Sequence, residues 1–525
     1  MSNQRANWDT LRSRRVFFGA AAVGTVGTAL SFHPRLAQTA WATRSQPAGK
    51  QTAHGNSVDN RNDDSEALLK ASPLRLELQR PVDSRLLLIE ERGIDGCGLF
   101  PGSVHVVRNA REVRALSGRL KPGDRLLLAG TDWKEARFTF SGRGLRNAPI
   151  LVAAQRPGEV VFSGDAGIVF EGQHLVIMDL VFRGVTIHRK GTAVVRLGNG
   201  VARPANFCIL NRIRIDDCNS PDPADWPNVR AWYLMVRGRD NTVANSVFAD
   251  MKHYGQMLSA SELPDGQLQR LHILNNRFVG RPHLDEKNGY EVIQIGWSGE
   301  KARSAASLIE GNIFERCDGE AELITLKASD IVVRHNQFIA SQGAVCVRAG
   351  NRVLIRGNCF DGRNRARTGG VRLQGWGHVV MDNVFRRLRK PGTYYRWAVS
   401  LMAASCENYG DGGDVAGYGR AKDILIAYNR FDACDTRIAV GIYPSPNYPL
   451  LPRNIRVIGN VFRDNKRDHS PFDYIAPDPT GELGRTLHSS KNHFHAHPNA
   501  GASGDQTKPT RHSKTPTGLD DRPSL

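Results

Sequence analysis

Short alternating apolar segments recur through the middle of the chain, among them LHILN, DIVVRHN, RVLIRGN, DILIAYN and NIRVIGN, and each closes on an asparagine. Apolar and polar residues alternating at period two mark a strand with one buried face. Two residues beyond most of these asparagines stands a phenylalanine: Asn276-Arg-Phe278, Asn312-Ile-Phe314, Asn336-Gln-Phe338, Asn358-Cys-Phe360, Asn383-Val-Phe385, Asn429-Arg-Phe431 and Asn460-Val-Phe462. Asn211-Arg-Ile and Asn245-Ser-Val-Phe248 are looser versions of the same motif. The separations are roughly 22 to 36 residues, with one longer gap before Asn429, which is the period of a repeating supersecondary unit. The unit reads as a strand, an asparagine at a turn that tolerates left-handed backbone, then an inward phenylalanine stacked on its counterparts in neighbouring coils. The predicted fold is therefore all-β: a single-stranded, right-handed parallel β-helix, a pectin-lyase-like solenoid. An open β-sandwich gives no reason for a serial Asn-x-Phe ladder.

The strands begin earlier, with FTFSG, PILVAAQ, EVVFSG, GIVFEG and HLVIMDLVFRG, most of them closed by glycine. Ahead of them AREVRALSGRL has helical spacing and KPGD turns it into the strand RLLLAG, so a short helix is predicted as the N-terminal cap that a solenoid needs. The β-helix domain is expected over residues 99–476. Residues 43–98 read as a polar leader, and 477–525 as a disordered tail rich in Gly, Ser, Thr, Pro, His and Lys, because neither has enough apolar surface to offset the entropy of ordering it.

At the very start, Ser13-Arg14-Arg15-Val16-Phe17-Phe18 precedes an apolar run from Gly19 to Leu30, and Ala40-Trp41-Ala42 offers a cleavage site. The run is well short of the roughly 20 residues that cross a bilayer, so residues 1–42 resemble a bacterial twin-arginine signal peptide. A periplasmic or secreted protein, exported already folded and not membrane-spanning, is expected. The eight cysteines stand singly, without a CxxC pair, and read as small apolar core residues. A formal net charge of +19 favours a polyanionic partner. Nucleic acid is the competing polyanion, but no nucleic-acid-binding motif is present and export removes the opportunity.

The chemistry concentrates in EAELITLKASDIVVRHNQFIASQGAVCVR, residues 320–348. If successive strands stack as coils, Glu320, Glu322, Lys327 and Arg348 line one face, a set suited to holding a cation, binding an acidic sugar and moving a proton. Each residue alone has a plainer reading: a Glu-x-Glu or a single lysine on a strand is usually a solvated face. Cleaving a 4-linked uronate without water needs removal of the weakly acidic C5 proton beside the carboxylate. A hard cation on that carboxylate would stabilise the enolate-like charge that develops, and carboxylate and amide oxygens suit Ca²⁺. A lysine base must be neutral, a form that neighbouring cations favour. Arginine gives up a proton reluctantly, so Arg348 reads as a stabiliser of the leaving oxygen, with Tyr290 an alternative donor.

These segments resemble polysaccharide lyase family 6, which contains chondroitinase B and the β-helical alginate lyases. The resemblance runs in order through GDRLLLAGTDW, PILVAAQRPGEVVFSG, NGYEVIQIG, EAELITLKAS, GAVCVRAGN and TGGVRLQGWGH. It implies calcium ligands at Asn288, Glu320 and Glu322, a Brønsted base at Lys327, a general acid at Arg348 and a substrate-carboxylate contact at Arg372. Trp297, Trp376, Tyr394, Tyr395 and Trp397 are candidates for stacking on sugar rings, although aromatics more often pack. His335 and His378 read as turn or core residues, with His378 kept as a candidate substrate contact.

Two departures from the family pattern, Gln294 where Arg is usual and Ala349 where His is usual, bear on substrate preference. The expected activity is β-elimination of a 4-linked uronate polymer, with alginate at mannuronate-containing linkages ahead of chondroitin or dermatan sulfate. A mannuronan C5-epimerase would share the fold and the proton abstraction but would form no double bond. A catalytically silent polysaccharide-binding β-helix would bind without turnover.

Overall fold

The computed structural model describes residues 59–131, 133–261, 267–284, 288–300, 302–390, 396–409, 417–464 and 468–495. The twin-arginine segment and its cleavage site, Tyr394 and Tyr395, and everything beyond His495 lie outside the described residues. Among these, strands stack into three parallel sheets of 14, 13 and 12 strands, and a complete coil contributes one strand to each sheet. One sheet runs through Leu308–Glu310, Val332–Arg334 and Leu354–Arg356; the second through Ile293–Ile295, Glu322–Leu326, Gly343–Val347 and Thr368–Leu373; the third through Ile313–Cys317, Gln337–Ile339 and Cys359–Asp361. This is the right-handed parallel β-helix predicted from the repeat. The cap helix forms at Ala110–Leu116, where the Asn109 side chain accepts from the Glu112 amide, and Val113 is buried in the end of the core.

The asparagine ladder differs from its sequence reading by one position. The left-handed residue is the one before each ladder asparagine: Asn275, Gly311, His335, Gly357, Asp382, Tyr428, Gly459 and Lys491 all have φ between 52° and 70°. That corner turns the asparagine inward, where it is buried and bonded to its successor. Asn336 donates from its amide and from Nδ2 to Asn358 Oδ1, and Asn358 does the same to Asn383. The ladder continues to Asn492, a rung beyond the predicted end, while Asn211 and Asn245 fall outside it and Ser246 takes the position before Asn276. The phenylalanines stack as predicted, from Phe248 through Phe494, with centroids 4.5 to 5.1 Å apart. That spacing equals the distance between strands, and each buried ring contributes roughly 1.5–3 kcal/mol.

Two boundaries are corrected. The chain divides into two units, Met1–Ala67 and Leu68–Leu525. From Leu68 to Gly96 the expected polar leader is an ordered strap along the outside of the first sheet. Gln79 donates to the Asp330 carbonyl, Arg80 to those of Arg270 and Asn241, and Arg85 to that of Phe207; Glu90 accepts from Asn211 and Arg212, and Asp95 pairs with Arg125. The strap thus crosses the coils in reverse order. Leu69, Leu86 and Ile89 bury an outward apolar stripe that includes Val176, Ile209, Leu308, Val332 and Leu354. Leu68, Leu74, Val82, Leu88 and Ile94 pack partly buried against the same stripe, whereas Leu76 and Leu87 stay exposed. At the other end the solenoid extends beyond residue 476, with strands Leu487–Ser490 and His493–His495 pairing to the preceding coil.

His378 is corrected from a substrate contact to a core residue. It is 0% exposed, with its ring nitrogens facing the Val353 amide and the Gln374 carbonyl. Burial holds its pKa down at about 4, as burial also holds His253 at about 4 and His272 at about 3. In the unfolded chain these rings take up protons near pH 6.5. The unfolded state therefore binds more protons between about pH 6.5 and 4, and stability, complete above that window, is lost as the pH falls through it. For His378 the contribution is roughly 3 kcal/mol. The thermal midpoint of the parent is expected to fall steeply from pH 6.5 to 4.5, and His378→Asn to show a shallower slope.

None of the eight cysteines forms a disulfide; six are buried, in keeping with their reading as core residues, and Cys359 and Cys406 are half-buried.

Candidate active site

The register of the second sheet brings the predicted residues together. Leu326 pairs with Val347, so Lys327 and Arg348 occupy equivalent places at the ends of adjacent strands, with Lys327 N donating to Ile295 O and Arg348 N to Leu326 O. Neighbouring strands lie about 4.8 Å apart, which makes the amine and the guanidinium near neighbours. Two positions back, Gln294, Thr325, Cys346 and Arg372 form one row across successive coils. Both cationic side chains are half-buried at the margin of this row.

Beneath them lie the carboxylates. Glu322 is 4% exposed; its Oε1 accepts from Arg372 Nη2 at 2.6 Å and lies 3.7 Å from Arg348 Nε, and its Oε2 accepts from Thr325 Oγ1 at 2.6 Å. Burial favours the neutral acid here, but Arg372, Arg348 and Lys327 together outweigh it and hold the Glu322 carboxyl below the ordinary range. Glu320 is the opposite case. Burial and the nearby Glu291 and Glu322 carboxylates push it well above the ordinary range, although Oε1 accepts from the Gly289 and Tyr290 amides at 2.8 and 3.0 Å. The Asn-Gly-Tyr segment thus wraps the Glu320 carboxylate, and Asn288, exposed at its edge, sits one residue from those amides. Gly289 has φ +109°, and a Cβ there would fall 2.0 Å from the Tyr254 ring, so only glycine closes this wrap.

Three placements differ from expectation. Arg372 is buried against Glu322 and positions that carboxylate; it does not present itself to a substrate carboxylate. Tyr290 is 2% exposed, with its ring packed on Tyr254 and under Arg281, so it neither contacts sugar nor serves as the alternative donor. Of the aromatics, Trp397 is buried and Trp376 carries Arg352 on its face, whereas Trp297 is 52% exposed on the wall of a cleft.

Two residues were missed. Glu291 sits beside Glu320 and accepts from Gln256 Nε2 at 2.7 Å, and its place in the NGYE motif was a usable signal. Tyr418 lies under the Arg348 guanidinium, 4.1 Å from Cζ to ring centroid, and stacks in turn on Tyr448. It enters from a long excursion between repeats, so nothing in the periodic pattern pointed to it. Tyr418→Ala is expected to lower kcat/KM about tenfold by releasing Arg348, and Tyr418→Phe to stay near the parent, since the ring face and not the hydroxyl makes the contact.

Among the described residues, no group of three or more His, Cys, Asp or Glu side chains is arranged to hold a metal ion. The set suggested by the sequence is a different one: two carboxylates and an amide. Its donors are all oxygens, and the repulsion that raises Glu320 is what a dication would relieve, so the residues present fit a hard cation such as Ca²⁺. The bond from Arg372 leaves lone pairs on Glu322 for that purpose.

Carboxylates, an amine and a guanidinium thus gather on one face of a parallel β-helix. A profile of the family described as Chondroitinase B matches residues 107–474. The chain belongs to that family, within polysaccharide lyase family 6. A mannuronic acid specific family 6 lyase from human gut microbiota has a similar solved structure, at 25% identity and TM-score 0.62, covering 75% of this chain and 82% of that one. The family 6 lyase Pedsa3628 from Pseudopedobacter saltans is similar at 22% identity and TM-score 0.63, covering 78% and 98%. The alginate lyase AlyGC is similar at 23% identity and TM-score 0.66, covering 78% of this chain but only 54% of its own length. No curated protein matches the sequence.

Proposed function

We propose that this chain is an exported lyase that cuts alginate at mannuronate-containing linkages by calcium-assisted β-elimination. The observation that carries the reading is the placement of Lys327 and Arg348 on adjacent coils around the ionised Glu322. The mannuronic acid specific relative favours the substrate. The Ser13-Arg14-Arg15 segment favours export, and no helix among the described residues is long and apolar enough to cross a membrane.

In this mechanism Lys327, as the free amine, takes the C5 proton of the uronate. The electron pair forms the C4=C5 double bond, the C4–O4 bond breaks, and the departing oxygen takes a proton from water. Arg348, held between Tyr418 and Glu322, directs its N–H groups at that oxygen as negative charge grows on it. Asn288, Glu320 and Glu322 would hold Ca²⁺, which when bound neutralises the substrate carboxylate. Arg372 and Thr325 keep Glu322 ionised and oriented.

Ultraviolet absorbance of the new double bond on poly-mannuronate, poly-guluronate and dermatan sulfate, with and without chelator, tests the reading. Chelator-sensitive turnover of poly-mannuronate is expected. Turnover of dermatan sulfate alone would transfer the activity to glycosaminoglycans, a second reading favoured by the arginines Arg196, Arg230 and Arg237 beside the site. Proton exchange at C5 without absorbance would make the chain an epimerase, and binding without either would make it a silent carbohydrate-binding protein.

A further inference from the structure

Arg281 closes the strand Arg277–Arg281 of the third sheet, paired with Cys317, and is 0% exposed. Its Nη2 donates to the His253 and Gly255 carbonyls at 3.0 and 2.7 Å, while Nε and Nη1, both buried, have no hydrogen-bond partner among the described residues. A guanidinium so placed has lost its water and stays charged only where nearby negative charge compensates. We propose that Arg281 is the internal counter-cation of the Glu291 and Glu320 carboxylates: it holds the two like charges together in the metal-free protein, and its fixed charge limits how tightly the site takes up a dication. The second half rests on the calcium reading above, and the first does not.

Three contacts place the guanidinium behind the two acids. A Cβ on Gly319 would fall 2.6 Å from Arg281 Nε and 2.2 Å from the Tyr290 carbonyl oxygen, so the arginine runs along bare backbone just before Glu320 on one side and just before Glu291 on the other. Its Cζ lies 5.7 Å from the Tyr290 ring centroid. Gly255, which accepts from Nη2, donates its own amide to Gly289 O at 2.7 Å, and this ties the arginine to the segment that wraps Glu320. Both carboxylates are 3% exposed, so little water intervenes to screen them. Burial lowers the Arg281 pKa to about 10, against which Glu291 and then Glu320 act, and the cation persists at neutral pH.

Arg372 is already committed to Glu322, so Arg281 sets one positive charge against two carboxylates. The surplus negative charge attracts a dication, and Arg281 reduces that surplus without occupying a donor oxygen. Removing the arginine should therefore act in opposite directions on the two states. The metal-free protein loses its compensating charge, whereas the loaded one loses a repulsion between cations. An arginine that only filled space would weaken both states alike.

The experiment follows the thermal midpoint of the full chain, first freed of metal with chelator and then with Ca²⁺ added. Arg281→Met is expected to lower the metal-free midpoint by several degrees and to enlarge the calcium-induced upward shift, with calorimetric Ca²⁺ affinity about threefold or more above the parent's. An unchanged metal-free midpoint, or a calcium shift no larger than the parent's, overturns the assignment. The Arg281→Met, Glu291→Gln double variant drops one buried charge of each sign and is expected to regain at least about half of the lost midpoint. It is also expected to fold where Arg281→Met alone does not, and no recovery overturns the proposal. A parent whose midpoint and calorimetric titration both ignore Ca²⁺ refutes the calcium reading instead, and the metal-free recovery then decides the counter-cation role by itself.

Discussion

Lys327→Ala is expected to lower kcat/KM on poly-mannuronate by about 10³-fold, the usual worth of a positioned general base. The loss should fall in kcat, because the amine acts on a proton that moves only in the transition state and contributes little to holding the chain. Lys327→Arg should not restore it, since a guanidinium keeps its proton at any working pH. Stability should change by no more than about 0.5 kcal/mol, as the side chain is half-buried at a strand end and packs little. Steady-state absorbance kinetics alongside thermal unfolding checks both halves. A variant that keeps a tenth of the parent rate would remove Lys327 from the mechanism.

Glu322→Gln is expected to fail in two separable ways. The amide keeps the shape but removes the charge that Arg372, Arg348 and Lys327 surround, and Arg372 loses a buried 2.6 Å ionic partner. Breaking such a pair from one side costs about 3–5 kcal/mol, so the thermal midpoint should drop by several degrees. Replacing both partners, Glu322→Leu with Arg372→Met, should recover most of that stability, because an apolar pair of similar volume carries no desolvation cost. Activity should remain absent in both variants. If the double replacement turns over substrate, the carboxylate is structural and nothing more.

The solenoid was legible because its repeat is written in residues with one physical job each. Phe338, Phe360 and Phe385 must stack, so they recur at a fixed offset from a strand end. The corner was less legible. Residues as different as His335, Asp382, Tyr428 and Lys491 adopt the left-handed conformation there, since the buried asparagine that follows compensates for the strain through its ladder bonds. Within the site, Lys327, Arg348, Glu320 and Glu322 were singled out by coil stacking together with the family resemblance, since each alone reads as part of a solvated face. The roles of Arg372 and Tyr290 were not, because alternation says which face a side chain leaves by and not whether a neighbour then covers it. Tyr418 was invisible for a third reason: it reaches Arg348 from a segment that belongs to no repeat.

The strap from Leu68 to Gly96 changes what kind of object the solenoid is. A stack of coils touching only their neighbours can fray from either end, one coil at a time. A single segment that grips the coil of Asp330 with Gln79 and that of Arg125 with Asp95 ties early coils to late ones. Opening at one end then loosens a fastening shared with the other, so melting becomes a collective event. During synthesis the strap emerges before the coils it grips: Asp95 meets Arg125 only 30 residues on, whereas Gln79 waits for Asp330, 251 residues away.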